Sequence, residues 1–260
     1  MQQSGNSLKD PLYTNRIESK YVINQTDLDD VFDILESKLK LSFPSKNTTY
    51  TNISSTYLDT VDMKFLKQHT TDKPDRYKLR VRIYAPNGKW EEDKFLEVKY
   101  QINFERRKTR IRVDGYGLMQ ALGGLPIPAK MRKLNPDITD DQFNNAKDLI
   151  DSLTKEGVQP TTKVTYRRVS YKGKDLRCTV DRNLKVEACA NSKNYQPSAE
   201  ELSVIAETGN KFNPSTNAIL EIKYPEDKET PAWLDKVITD YKVGEPGFSK
   251  YLWGLDQVLK

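Results

Sequence analysis

Charged and apolar residues alternate at every second position in segment after segment of this chain. In "YKLRVRIY", Lys78, Arg80 and Arg82 fall on one side and Tyr77, Leu79, Val81 and Ile83 on the other. A β-strand turns successive side chains to opposite faces, so this pattern predicts strands with one charged and one apolar face. "KFLEVKYQ" sets Glu97 and Lys99 against Leu96, Val98 and Tyr100. "RKTRIRVD" sets Lys108, Arg110 and Arg112 against Thr109, Ile111 and Val113. "LRCTVD" sets Arg177, Thr179 and Asp181 against Leu176, Cys178 and Val180, and "AILEIKY" sets Glu221 and Lys223 against Leu220, Ile222 and Tyr224. Glu-x-Lys-Tyr recurs at Glu18–Tyr21, Glu97–Tyr100 and Glu221–Tyr224.

One such strand is ordinary, because an antiparallel sheet often shows a polar face to water. Taken together the strands point elsewhere. A solvent face mixes Lys, Glu, Thr, Ser and Gln, whereas here Arg dominates. The guanidinium fork matches phosphate geometry with several donors per side chain. Crowded cations repel unless an anion compensates them. The net charge is only +5, from 42 Lys+Arg and 37 Asp+Glu, so the excess matters only if it is clustered. Glutamates at corresponding strand positions, beside cations, suggest a hard divalent ion held together with phosphate oxygens.

The rest of the chain frames these strands. "NRIESKYVI" reads as a first strand and "NQTDLDDVFDILESKLKL" as an amphipathic helix with Thr26 as N-cap. "TYTNISSTYLDT" reads as a strand, "MKFLKQH" as a short helix, and three strands follow as a meander. "YGLMQALGGLP" and "TDDQFNNAKDLIDSLTKEG" are helical in pattern. Strands return in "TKVTYRRVSYKG", "KDLRCTVDRNLKVEA" and "AILEIKYP", the last after a polar loop over 191–217. Two helices close the chain, with Pro231 in the first turn of the former. The count is about eight strands, mostly antiparallel. Each half holds an Arg-rich strand and then L-E-[VI]-K-Y, which predicts one domain of two similar sheets. Residues 1–14 are expected to be a frayed lead-in, and 15–260 a single domain.

Several chemistries find no support. The chain has one histidine, His69, in a polar stretch that reads as a solvated loop, so neither a Ser-His-Asp triad nor a His-rich metal site is expected. Cys178 and Cys189 make no disulfide framework and lack metal-ligand spacing. No apolar run approaches the ~20 residues that span a bilayer, and the N-terminus has no signal-peptide pattern. The expected setting is cytoplasmic, with no membrane insertion.

"RIESKYVI", "STYLDT", "KLRVRIY", "FLEVK", "YRRVSY", "LRCTVDRNL", "LEIK" and "FSKYLWGL" occur in this order. Together they resemble the triphosphate tunnel metalloenzymes, and within them the VTC-type polyphosphate polymerase domain. The resemblance implies an α+β fold: an antiparallel eight-stranded β-barrel tunnel with a charged lumen, and helices outside and at the tunnel ends. It implies transfer of the γ-phosphate of ATP, or of another nucleoside triphosphate, to a growing inorganic polyphosphate chain, with Mn²⁺ or Mg²⁺ as cofactor. Carried over residue by residue, Lys20, Arg80, Arg82, Lys99, Arg168, Arg177, Lys223 and Lys250 are the expected catalytic phosphate contacts. Lys108, Arg110 and Lys78 are further candidates. Glu221 is the expected metal ligand, with Glu97 and Glu18 as helpers.

The chain departs from the hydrolytic branch of that superfamily, which begins Glu-x-Glu-x-Lys. Here Arg16 stands at the first glutamate, which favours the polymerase over a tripolyphosphatase or RNA 5′-triphosphatase. The inositol-phosphate-sensing domain and membrane partners of the eukaryotic polymerase have no counterpart, so a free-standing catalytic domain is expected. A non-catalytic binder of polyphosphate or nucleic acid would also use basic strands. Aromatic residues are not expected among the basic residues of the charged faces, and base-stacking platforms would require them.

Overall fold

The computed structural model describes residues 16–42, 48–71, 73–103, 105–209, 211–242 and 248–259. The expected lead-in at 1–14 lies outside the described residues. The strands are β1 (Arg16–Asn24), β2 (Lys40–Leu41), β3 (Thr51–Asp59), β4 (Arg76–Pro86), β5 (Lys94–Ile102), β6 (Glu105–Val113), β7 (Gln159–Lys172), β8 (Arg177–Ala188) and β9 (Asn217–Pro225). The helices are α1 (Leu28–Lys38), α2 (Lys64–Thr70), α3 (Gly115–Leu122), α4 (Asp140–Thr154), α5 (Ala190–Asn194), α6 (Ala199–Gly209), α7 (Ala232–Tyr241) and α8 (Lys250–Leu259).

All eight expected strands form, and the two-residue β2 is added. They build one antiparallel sheet in the order β1-β9-β8-β7-β3-β4-β5-β6, with β2 beside β7. This corrects the expectation of two similar sheets. β3 pairs with both β4 and β7, which fuses the halves into one curled surface. The curl brings β1 and β5 into side-chain contact across the interior, with Lys99 Nζ 3.4 Å from Glu18 Oε1.

The alternation decides which face is which. Outside, apolar faces are covered by helices. Leu79, Val81, Leu96, Val98, Ile111 and Val113 pack with residues of α3 and α4, such as Ala121, Phe143 and Ile150. Ile23, Tyr171, Cys178, Val180, Leu220 and Ile222 pack with Val31 and Leu35 of α1 and Leu234 and Val237 of α7. The tyrosines of the three Glu-x-Lys-Tyr segments join these outer clusters. Burying such a Leu or Val side chain stabilises by about 1.5–3 kcal/mol, which makes the register costly to shift.

A third cluster lies inside. Val22, Ile53, Tyr57, Val164, Tyr166, Leu184 and Ile219 meet Phe248, Tyr251, Trp253 and Leu255 of the C-terminal segment. One part of the interior is therefore apolar and filled by α8. Tyr251 fixes the helix by donating its hydroxyl to buried Asp59 at 2.9 Å. Asp59 also accepts the N–H groups of Phe65 and Leu66, which start α2.

Four local expectations are corrected. Thr26 lies in a 3-10 turn, Gln25–Asp27, and the cap position of α1 is Asp27, which makes no side-chain cap bond. Pro231 is the N-cap of α7 rather than its first residue. The "polar loop" over 191–217 contains most of α5 and all of α6. Ser198 and Glu201 form the reciprocal bonds of a capping box there, a signature legible as Ser-x-x-Glu. His69 is on α2, half-buried, with Nε2 3.2 Å from the Tyr77 carbonyl. Burial and then the charge of Lys78 push its pKa down to about 2, so it is neutral rather than a solvated titrating group.

Candidate phosphate-binding tunnel

The charged faces of β1, β4, β5, β6, β7, β8 and β9 line the rest of the interior. Lys20, Lys78, Arg80, Arg82, Lys99, Lys108, Arg110, Arg168, Lys223 and Lys250 all take part in ion pairs or hydrogen bonds there. Arg177 is more exposed, at the rim, opposite Lys172 and Lys223 in register. The tertiary structure thus brings together every cation expected from the sequence, with Arg177 at the edge.

Four carboxylates organise these cations. Glu97 is fully buried; its Oε2 accepts Nε and Nη2 of Arg80 at 2.9 and 2.6 Å. Arg82, Lys108 and Arg110 lie 3.5, 3.3 and 3.7 Å away. Asp181, also fully buried, accepts both Nε and Nη2 of Arg168 at 2.6 and 2.7 Å, and Lys250 Nζ at 2.7 Å. Glu221 lies 2.5 Å from Lys223 Nζ and 3.6 Å from Arg168. Glu18 touches Lys20, Lys99 and Lys223 at 3.0, 3.4 and 3.4 Å.

The charge balance is lopsided toward cations. Burial, then the charge of Lys20 and neighbouring arginines, push the Lys78 pKa down to about 7. Burial and the nearby arginines, outweighing Glu97, push Lys108 down to about 8. Burial likewise holds Lys99 well below its usual range, although Glu18 opposes this. For Glu18, burial and Glu221 would raise the pKa, but Lys99, Lys20 and Lys223 outweigh them and take it down to about 2. Such a lining is complementary to a polyanion, whose charge would restore the lysines to their protonated form.

Reading the charged faces left four contributors without a role. Asp181 shares a face with Thr179 in "LRCTVD", so its inward direction was legible, but its partner Lys250 is on a distant helix. Tyr166 has Arg82 Nη2 3.2 Å from its hydroxyl, and Lys250 Nζ lies 4.7 Å from its ring centroid. Ser249 accepts from Lys78 Nζ at 3.2 Å, and Ser55 accepts from Arg82 Nε at 3.2 Å. Aromatic rings do interleave with the cations, contrary to expectation. Phe95 carries Arg110 and Arg112 at 4.9 and 5.3 Å from its centroid. The cause is strand parity, because Phe95 shares the face of Glu97 and Lys99.

A divalent cation fits here only in a particular way. Among the described residues no three or more His, Cys, Asp or Glu side chains come together. Glu18 and Glu221 form a repelling carboxylate pair, and Thr179, paired in register with Glu221, has a buried hydroxyl with no hydrogen-bond partner among the described residues. That donor set suits a hard ion that takes one or two carboxylates and completes its shell from phosphate oxygens and water. Glu97 stands apart, enclosed by four cations. The side chain of Arg16 lies outside the described residues, although its backbone pairs with Pro225 in β1–β9.

A curled antiparallel sheet with a cation-rich interior, apolar exterior and capping helices defines a charged β-tunnel protein. The chain belongs to the VTC domain family, whose profile matches residues 15–259. That family identifies a polyphosphate-related tunnel enzyme. Solved structures are similar in fold. A Bacillus halodurans protein proposed as an adenylate cyclase matches at 12% identity and TM-score 0.51, over 91% of this chain and 95% of its own. A Hippeastrum protein, proposed as an adenylyl cyclase and reported with a dominant triphosphatase activity, matches at 12% identity and TM-score 0.49, over 92% and 95%. A Pyrococcus horikoshii protein matches at 15% identity and TM-score 0.46, over 93% and 98%. No curated protein sequence matches the chain. No described helix is long and apolar enough to cross a membrane.

Proposed function

We propose that this protein is a polyphosphate polymerase, moving the γ-phosphate of ATP to the end of an inorganic polyphosphate chain. One observation carries the choice of acceptor. All four lumen carboxylates are bound by cations at 3.4 Å or less, and the only histidine is on α2, bonded to a backbone carbonyl. Among the described residues, no carboxylate of the lumen and no histidine is thus left free to take a proton from water. A phosphate acceptor is already ionised at neutral pH and needs no such base.

The residues then have simple tasks. Phosphoryl transfer depends on alignment and on neutralising charge at the transferred group. Arg80 and Arg82, pre-aimed by Glu97, Tyr166 and Ser55, bind phosphate oxygens. Arg168 of β7 and Lys250 of α8, held by Asp181, do so alongside them. Lys20, Lys99 and Lys223 hold the chain near Glu18 and Glu221, the pair that would hold Mn²⁺ or Mg²⁺. Bound there, the ion would supply positive charge that offsets the charge of the phosphate groups.

Incubation with ATP and Mn²⁺ or Mg²⁺, followed by a gel for long phosphate chains and a free-phosphate assay, tests this reading. Long chains are expected. Free phosphate alone would assign a triphosphatase using the same tunnel, and neither product would assign a binder of polyanions.

A further inference from the structure

Cross-strand register carries the lumen's positive charge out over the rim. Lys223 on β9 pairs with Arg177 on β8, Arg177 with Lys172 on β7, and Lys172 with Lys40 on β2. Paired residues project from the same face, so these four cations form one continuous row. Neighbouring strands are ~4.8 Å apart, so the row runs about 14 Å from Lys223 to Lys40. On β7, β8 and β9 it lies at the end opposite the segment that α8 fills.

β2 is the element the sequence did not announce, and its placement is costly by itself. It sets Lys40 directly opposite Lys172, and like charges directly opposite destabilise a strand pair. Lys38 and Lys174 join them around a groove of about 390 Å³. All four lysines are exposed, and none makes an ion pair among the described residues. The lumen lysines, by contrast, are tied to Glu18, Glu97, Asp181 or Glu221, apart from Lys78, which bonds Ser249.

We infer that this rim is a second binding segment for a phosphate chain, engaging units that extend beyond the lumen. The inference rests on the lumen being a phosphate site. A linear inorganic polyphosphate is the occupant the row favours, because its near end lies among Lys223, Lys20 and Arg168 and its charge recurs at every unit. Lys40, Lys172, Lys38 and Lys174 then hold the chain outside, which favours long chains over short ones and keeps a growing chain attached between additions.

The test compares binding of long polyphosphate and of tripolyphosphate to the wild type and to Lys40→Gln/Lys172→Gln, at fixed moderate salt. The double variant should bind long chains roughly tenfold more weakly, with tripolyphosphate affinity within about twofold of wild type. Lys40→Arg/Lys172→Arg should retain long-chain affinity, which separates charge from folding. Unchanged long-chain affinity in the Gln variant would overturn the rim segment while leaving the lumen reading intact. A wild type that binds neither ligand would overturn both. A single-stranded DNA oligomer bound as tightly as polyphosphate, with the same loss in the variant, would reassign the rim to nucleic acid.

Discussion

Glu18 on β1 and Lys99 on β5 stand 3.4 Å apart, although five strands separate their own strands in the sheet. β1 and β6 are the two ends of the strand order, and among the described residues no backbone pairing joins them to each other. Ion pairing across the interior therefore supplements backbone pairing in holding the curl. Glu18→Gln should loosen it. Because both side chains are about a third exposed, the loss should be modest, about 1 kcal/mol, or a fall of ~2–4 °C in melting temperature. Added tripolyphosphate should erase the difference, because it supplies the missing negative charge. Thermal unfolding with and without the ligand checks this.

Glu97 is expected to matter far more to folding. It is fully buried and faces Arg80, Arg82, Lys108 and Arg110. Removing one partner of a buried ion pair costs about 3–5 kcal/mol, because the remaining charges stay buried without compensation. Glu97→Gln should lower stability by that order in urea unfolding. An effect as small as that of Glu18→Gln would show that the Glu97 cluster is not organising the cations.

Turnover should respond differently. Arg82→Ala leaves Glu97 bound to Arg80, and Lys223→Ala leaves Glu221 near Arg168, so both variants should remain folded. Each removes a charge that stabilises the transferred group, and activity should fall by about 10²-fold or more. Glu221→Ala should abolish the dependence of turnover on added divalent ion. Chain synthesis by the Glu221 variant with full metal dependence would refute its role as ligand.

Phosphate binding should take up protons at mildly alkaline pH. In the free lumen burial and neighbouring cations depress Lys78 to about 7 and Lys108 to about 8, so at pH 8 much of their charge is absent. A bound polyanion favours the charged forms and raises both pKa values. Affinity should therefore be highest below about 7 and weaken as pH rises through 7–8, with net proton uptake at pH 8. Calorimetry in buffers of different ionisation enthalpy measures that uptake, and Lys78→Met should reduce it.

The strands and their inward and outward faces were legible from the sequence, because strand parity is a local rule, whereas Lys20, Arg168 and Lys250 were expected only from the family resemblance. A two-residue period assigns Lys78, Arg80 and Arg82 to one face whatever the rest of the chain does. The outer tyrosines of the Glu-x-Lys-Tyr segments followed from the same rule. Helices with a long apolar stripe, such as α4, were equally clear, and α6 could have been read from its Ser198–Glu201 capping box. What only the tertiary structure decided is who meets whom. β3 pairing with both halves makes one sheet of two similar sequences. Lys250 reaches Asp181, and Lys99 reaches Glu18, through chain closure. β2 places Lys40 beside Lys172 at the rim. These contacts depend on how a curled sheet closes over many strands, and no periodicity within a single strand encodes that closure.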